Sequence, residues 1–168
     1  MKKIIIFTDG AVPNNQSKNQ FKNLKGGIGV YFGENNIYNI SKQIVESEHV
    51  KVTNQVCETM ACIMALETIV TTQKIGKKEI IIYTDSMYLV NAMTTWAKTW
   101  KKNNWTKSNG KTIENIDIIK KLYYLSVNLN VTYIHVKAHM KAPPLDSPEY
   151  SLYWGNYMAD KLATDAAK

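Results

Sequence analysis

Four acidic residues stand where a carboxylate is costly unless it has a use. Asp9 and Asp85 each follow a β-branched run, and Glu58 and Asp160 lie early in predicted helices. Each has an ordinary structural explanation: a turn for Asp9, a helix N-cap for Asp85, a solvated helix position for Glu58, and a pairing with a lysine for Asp160. Crowded together, the four would repel one another and raise one another's pKa values, which a divalent cation would relieve. All-oxygen ligands suit Mg²⁺ or Mn²⁺, so the set predicts a metal cluster.

The patterns around these acids predict the elements that position them. Short β-branched runs indicate strands, and apolar residues at helical spacing indicate helices. The order predicts an α/β fold, a mixed five-stranded sheet with three antiparallel strands and then two parallel ones, flanked by helices. Asp9 and Asp85 are expected at the carboxyl ends of adjacent strands, where ligands of open sheets gather. The predicted strands are 3–8, 27–32, 37–44, 79–84 and 131–136, and the predicted helices are about 53–70, 87–96, 115–126 and 153–167.

Composition and charge restrict the class of protein. The 168 residues suit one globular domain, and 45% hydrophobic residues exclude a disordered chain. The net charge of +7 favours a polyanionic partner, and because all 21 basic residues are lysines, phosphate contacts are expected to be point charges. No membrane span or signal peptide is expected. Cys57 and Cys62 are expected to be buried thiols, which favours an intracellular, by default cytoplasmic, location.

Six motifs occur in order across about residues 4–167: Phe7-Thr8-Asp9-Gly10-Ala11, Gly27-Ile28-Gly29-Val30, Thr53-Asn54-Gln55-Val56-Cys57-Glu58, Tyr83-Thr84-Asp85-Ser86, Val136-Lys137-Ala138-His139 and Gly155-Asn156-Tyr157-Met158-Ala159-Asp160. Together they resemble the motifs of type 1 ribonuclease H, the ribonuclease HI family. The resemblance implies a ribonuclease H-like fold in a single domain over residues 1–168, with a basic protrusion at about 96–112 and no separate hybrid-binding domain. It implies an endonuclease that hydrolyses the RNA strand of RNA/DNA hybrids, giving 5′-phosphate and 3′-hydroxyl ends. A monomer is the default expectation.

The resemblance also implies roles for the acids. Asp9, Glu58, Asp85 and Asp160 would be ligands of two Mg²⁺ ions, for which Mn²⁺ would substitute, with Asp9 bridging the two. His139 matches the family's loop histidine, which assists protonation and product release; the alternative is an exposed loop histidine without a role.

The resemblance implies that several polar residues contact the substrate. Asn54 and Gln55 would reach 2′-hydroxyls in the minor groove, which is how RNA is distinguished from DNA. Thr53 and Asn115 match a pocket for a phosphate of the DNA strand, for which Lys51 is the nearest basic candidate. Helix capping is the alternative for Thr53, Asn54 and Gln55. Two further expected substrate contacts are Asn15 and Asn156.

A segment rich in tryptophan and lysine matches the family's basic protrusion, which grips the DNA strand through its phosphates. The alternatives are helix packing for the tryptophans and a solvated face for the lysines. The residues expected to contact substrate are Trp96, Trp100, Lys101, Lys102 and Trp105, and Lys98, Lys107 and Lys111 lie among them.

Departures from the family pattern leave other functions to compare. The loops at about 12–25 and 140–150 are longer than usual, and the second puts the geometry of His139 in question. An exonuclease of the same fold would need a second acid where Ala11 stands, and a junction resolvase would not need the protrusion. A catalytically inactive hybrid-binding module would gain nothing from four mutually repelling acids.

Overall fold

A computed structural model of the chain describes residues 2–13, 24–72 and 78–168. Its strands are β1 (Lys2–Ala11), β2 (Lys25–Tyr31), β3 (Ile40–Val45), β4 (Lys78–Thr84) and β5 (Val131–His135). They form one sheet in the order β3-β2-β1-β4-β5. The β1–β2 and β2–β3 pairs are antiparallel, and the β1–β4 and β4–β5 pairs are parallel. The predicted mixed five-stranded sheet is confirmed.

The helices lie on both faces of this sheet. They are α1 (Asn54–Thr72), α2 (Met87–Asn91), α3 (Ala97–Lys102), α4 (Ile116–Leu129) and α5 (Tyr150–Ala167), and a π-helical turn (Ala92–Trp96) joins α2 to α3. α1 packs on β1 and β2 and against α4, whereas α5 packs on β1, β2 and β3 from the opposite side. Within the described helices, none has the length and apolar character needed to cross a membrane.

Alternation along β1 explains why two helical layers are needed. Ile6 is fully buried in the core that includes α1 and α4, and the next residue, Phe7, is buried against Tyr31 and Ala159 of α5. Successive side chains of a strand point to opposite faces. Burying a large apolar side chain contributes about 1.5–3 kcal/mol, so both faces of this central strand add to stability.

Two glycines of β2 allow α5 to lie directly on the sheet. A Cβ on Gly27 would overlap the carbonyl oxygen of Ala163, and one on Gly29 would overlap that of Ala159. Hydrogen bonds from β3 hold the same helix, since Ser41 Oγ donates to the Leu162 carbonyl at 2.7 Å. This contact fixes the position of α5, and therefore of Asp160, relative to β1.

Several predicted boundaries were wrong for identifiable reasons. β1 continues through Asp9-Gly10 to Ala11, because it still pairs with β2 there. β3 begins at Ile40 rather than residue 37, because Asn39 closes the preceding turn by accepting from Phe32 N at 2.6 Å and donating to Gly33 O at 2.8 Å. The predicted helix over 87–96 is interrupted by the π-helical turn, and α5 begins three residues before the predicted 153.

Candidate active site

Asp9 lies where one strand partner of β1 ends and the other continues. The parallel pairing with β4 ends at Thr8↔Thr84, whereas the antiparallel pairing continues through Asp9↔Gly29. Asp9 is buried at 4% exposure, and its neighbour Gly10 lies against the first turns of α1. The turn interpretation of Asp9 is therefore wrong, since the chain does not turn at this residue.

Asp85 comes immediately after β4, at the level of Asp9. It does not cap the next helix: Ser86 is the N-cap of α2, and its Oγ accepts from Leu89 N at 3.2 Å. Asp9, Glu58 and Asp85 each present a carboxylate oxygen within 4.8 Å of the others. The acids of β1, α1 and the end of β4 therefore meet at one edge of the sheet.

Asp160 completes this group from the opposite helical layer. Its carboxyl lies within hydrogen-bonding reach of Asp9, and its charge acts on Asp85. The adjacent lysine on the helix, Lys161, pairs with Asp165 at 2.8 Å. The structure thus brings all four predicted acids together, and we call them the acid cluster.

Burial and mutual repulsion make the acid cluster hard to ionise. Burial first, and then the charges of Asp85, Glu58 and Asp160 together with a hydrogen bond from Asp160, raise the pKa of Asp9 to about 10. Burial also raises the pKa of Glu58 to about 7, against a lowering contribution from the Ser86 hydroxyl. The pKa of Asp85 is raised by burial and then by Asp160. Without a cation, some carboxyl groups of this cluster must stay protonated, or the ionised carboxylates repel one another and destabilise the folded protein.

A cavity of about 500 Å³ opens beside the acid cluster and includes Asp85, Asp160, His139 and Asn156 in its wall. His139 has a left-handed backbone (φ 51°) and shares the cavity wall with Asp85, whose pKa its charge lowers. The Oδ1 atom of Asn156 is buried and has no hydrogen-bond donor among the described residues. A donor from a ligand in the cavity would satisfy it.

The residues of the predicted phosphate pocket also lie together. A second cavity of about 570 Å³ is lined by Lys51, Thr53 and Asn115, with Asn54 and Gln55 beside them. Thr53 caps α1, because its Oγ1 accepts from Val56 N at 3.2 Å, so the capping interpretation applies to this residue. Asn54 and Gln55 are exposed. Sequence analysis did not identify Glu114, whose carboxylate lines the same cavity.

Gln55 also borders a groove that runs along the π-helical turn. Trp96, Trp100 and Lys107 line this groove, together with Tyr88 and Glu114. The indoles of Trp96 and Trp100 lie 6.0 Å apart at 44°, and Trp96 is 37% exposed. Partly exposed rings beside a lysine give this groove the character expected of the protrusion.

Trp105, Lys101 and Lys102 are placed differently from the two groove tryptophans. The Trp105 ring packs against Tyr123 and Tyr124 of α4. Trp105, Lys101 and Lys102 are all absent from the described wall of the groove. Lys101 and Lys102 are exposed in the last turn of α3, with Lys101 Nζ 5.6 Å from the Tyr124 ring centre. Trp105 therefore has a packing role, and Asn15 lies outside the described residues.

Comparison with known proteins shows which proteins this chain is similar to. A family model described as RNase H matches residues 1–168. A protein of Chlorobium phaeobacteroides named ribonuclease H is 37% identical over 170 residues, covering 99% of this chain and 97% of that protein. Ribonuclease H1 of Rattus norvegicus is 32% identical over 167 residues, 99% of this chain and 51% of its own. The chain thus spans about half the length of this mammalian relative.

A solved structure shows the same fold. The crystal structure of LC11-RNase H1 in complex with an RNA/DNA hybrid superposes with a TM-score of 0.60 at 20% identity, covering 98% of this chain and 96% of that one. At this identity the likeness concerns the fold, in agreement with the sheet order and helix placement.

Proposed function

Because the chain belongs to the RNase H family, we propose that it is an endonuclease that hydrolyses the RNA strand of RNA/DNA hybrids and leaves 5′-phosphate and 3′-hydroxyl ends. The observation that carries the proposal is the meeting of four carboxyl groups from four separate elements at one sheet edge, beside an open cavity. The proposed catalytic unit is one domain over residues 1–168.

The acid cluster fits a pair of divalent cations. Its donors are all carboxylate oxygens, which suit Mg²⁺ and also Mn²⁺, and the three carboxylates of Asp9, Glu58 and Asp85 converge within 4.8 Å. The pKa values of Asp9 and Glu58 are raised when no cation is bound. Bound cations would favour the ionised carboxylates and so lower these pKa values. Asp9, Glu58, Asp85 and Asp160 would hold the ions. The metals would supply nucleophile activation and charge stabilisation during phosphate hydrolysis.

Residues in the cavity would orient the RNA strand and move protons. We assign His139, beside Asp85, to protonation of the leaving oxygen and to product release. The buried Asn156 Oδ1 accepts a hydrogen bond from a substrate hydroxyl, which supplies the donor that the described residues do not provide. On the α1 side, Asn54 and Gln55 contact 2′-hydroxyls and so select RNA as the strand to be cut.

The second cavity and the groove with Trp96 and Trp100 would bind the DNA strand. Lys51, Thr53 and Asn115 hold one phosphate, with a single lysine charge as the attractive element. Trp96 and Trp100 place aromatic faces against the sugars, and Lys107 adds charge in the same groove. Lys101 and Lys102, exposed in the last turn of α3, add charge outside the groove wall. We do not assign Trp105 to this surface, since its ring is engaged by α4.

The cellular setting is also part of the proposal. Cys57 and Cys62 are both free and buried, which suits the reducing interior of a cell and an intracellular, cytoplasmic enzyme. We propose that the enzyme acts as a monomer, because the acid cluster is assembled within one chain.

The function is tested by supplying matched substrates of one sequence to the purified protein. We expect cleavage within the RNA strand of a labelled RNA/DNA hybrid in Mg²⁺, and none of single-stranded RNA, duplex RNA or duplex DNA. End-group analysis should find 5′-phosphate and 3′-hydroxyl termini, and EDTA should stop the reaction. Cleavage of duplex DNA at a similar rate, or release of single nucleotides from an end, would contradict the proposal.

Replacing Lys101, Lys102 and Lys107 by Ala should raise KM for the hybrid about tenfold at moderate salt and change kcat far less. Phosphate contacts release counterions, so the slope of log KM against log salt should fall by about 2. Steady-state kinetics at several salt concentrations measure both quantities. The matched control replaces Lys2, Lys3 and Lys42, which are exposed on β1 and β3. An equal effect in both triple variants would mean that only net charge matters.

A further inference from the structure

The first turns of α5 carry a stripe of four aromatic rings. Tyr150, Tyr153, Trp154 and Tyr157 recur at helical spacing, so they share one side of the helix. Trp154 and Tyr157 have ring centres 5.3 Å apart at 22°, and Tyr153 and Tyr157 have ring centres 6.1 Å apart at 29°. Such a stripe usually packs into a core, but Tyr157 is 45% exposed. Part of this stacked surface is therefore available to a ligand.

The Trp154 ring, on which the exposed Tyr157 stacks, is fixed from the sheet side. The Trp154 indole NH donates to Glu34 at 3.4 Å, and Tyr31 OH donates to the same carboxylate at 3.2 Å. Trp154 also packs on the cluster formed by Phe7, Tyr31 and Ala159. A ring already stacked on an anchored partner loses little freedom when a flat ligand adds to it, so this surface is preorganised for stacking.

The exposed part of the stripe continues the proposed active site. Tyr153 and Tyr157 line the same cavity as Asp85 and Asp160, whereas Gln55 belongs to the other two depressions. The stripe thus lies on the α5 side of the acid cluster. A polyanionic strand that crosses the cluster from Gln55 would reach these rings next.

The charges around the stripe favour a strand with phosphates. Lys137, His135 and His139 line the cavity, and among the described residues of its wall Glu149 is the one acid outside the acid cluster. A flat aromatic ligand with a phosphate on either side therefore fits better than an uncharged one. A nucleotide combines both features, and stacking on tyrosine accepts any base.

We propose that Tyr153 and Tyr157 form a stacking site for an unpaired nucleotide of the RNA strand, where that strand leaves the hybrid beside the acid cluster. The nucleotide must be unpaired because the faces of bases inside a duplex are covered by their neighbours. Lys137 contacts a phosphate of this single-stranded part. The proposal rests on the proposed function, which supplies the RNA strand at the acid cluster. It predicts that the enzyme favours junctions between hybrid and single-stranded RNA.

The test compares one short hybrid in three forms: without a tail, with a single-stranded RNA tail at its 5′ end, and with the same tail at its 3′ end. A tail of one polarity should lower KM of the unmodified protein about tenfold, because the stripe lies on one side of the acid cluster. Tyr153→Ala/Tyr157→Ala should remove this ratio between tailed and untailed hybrids. Tyr153→Phe/Tyr157→Phe should keep it, because the stacking faces remain. Thermal melting establishes that each variant is folded.

Tyr38→Ala is the matched control, since it removes a tyrosine of similar exposure from the turn before β3. It should keep the tail preference. Equal KM for tailed and untailed hybrids in the unmodified protein would overturn the stacking site and leave the nuclease assignment intact. A preference that survives the double alanine substitution would also overturn it. Failure to cleave any of the three hybrids would contradict the proposed function instead.

Discussion

Asp9→Asn is expected to lower kcat for hybrid cleavage by about 1,000-fold or more, while the Kd for the hybrid changes by less than about threefold. Asparagine keeps the shape of the side chain but removes its charge and one acceptor oxygen. Asp9 is the most buried acid of the cluster and touches both Asp85 and Asp160. Losing its charge should therefore affect both cations, whereas the grooves that bind the hybrid remain. Single-turnover rates in Mg²⁺ and fluorescence anisotropy of a labelled hybrid measure the two effects.

The control for this variant is Asp165→Asn, the same chemical change further along α5. Asp165 is exposed and pairs with Lys161 and Lys168, and exposed pairs of this kind contribute little to stability. Its replacement should leave both kcat and Kd near their original values. Cleavage by Asp9→Asn at a rate near that of the unmodified protein would place the active site elsewhere.

Asp9→Asn should also be more stable than the unmodified protein when no metal is present. Folding raises the Asp9 pKa from 3.8 to about 10, so folding is favoured most below pH 4 and this contribution is lost as the pH rises towards 10. At pH 7, Asp9→Asn should gain on the order of 4 kcal/mol, a rise of about 10 °C in Tm. At pH 4 the gain should nearly vanish. Calorimetry in EDTA at the two pH values measures it, and an equal gain at both would contradict this electrostatic origin.

Much of the fold and the position of the acids could be predicted because they depend on local patterns. Runs such as Lys78–Thr84 are short, apolar and β-branched, and the order of elements restricts the sheet to few topologies. Once β1 and β4 are known to be adjacent and parallel, Asp9 and Asp85 must lie near each other. The pairing Thr8↔Thr84 shows how directly this register places the two acids.

Other features depend on contacts between distant parts of the chain, which local patterns do not encode. Glu114 is an ordinary polar residue in sequence, and it joins the phosphate pocket only because the segment before α4 lies beside the start of α1. Trp105 lies among lysines in the sequence, as Trp96 and Trp100 do. It has a left-handed backbone (φ 60°), however, and its ring packs against α4. Tyr153 and Tyr157 fit a packing stripe equally well until the cavity beside them is seen. Periodicity identifies the element but not the ligand.

Gly29→Ala should reduce the free energy of unfolding by about 3 kcal/mol or more and also lower kcat at temperatures where the protein remains folded. An added Cβ would overlap the backbone carbonyl of Ala159, which cannot rotate away as a side chain would. Relief therefore requires α5 to move away from β2. Asp160 follows Ala159 directly on α5 and would move with it, away from Asp9. Denaturant unfolding and single-turnover cleavage measure the two losses.

Gly110→Ala separates this effect from the general cost of replacing a glycine. Gly110 has a left-handed backbone (φ 79°) with open space around it, so the added methyl group meets no neighbour. Backbone strain alone should cost about 1 kcal/mol there, with kcat unchanged. If Gly29→Ala costs no more than this control and retains full activity, then α5 can adjust without disturbing the acid cluster. In that case the tight β2–α5 contact would serve stability only, and the position of Asp160 would depend on other contacts, such as those of Gly155 with Phe7.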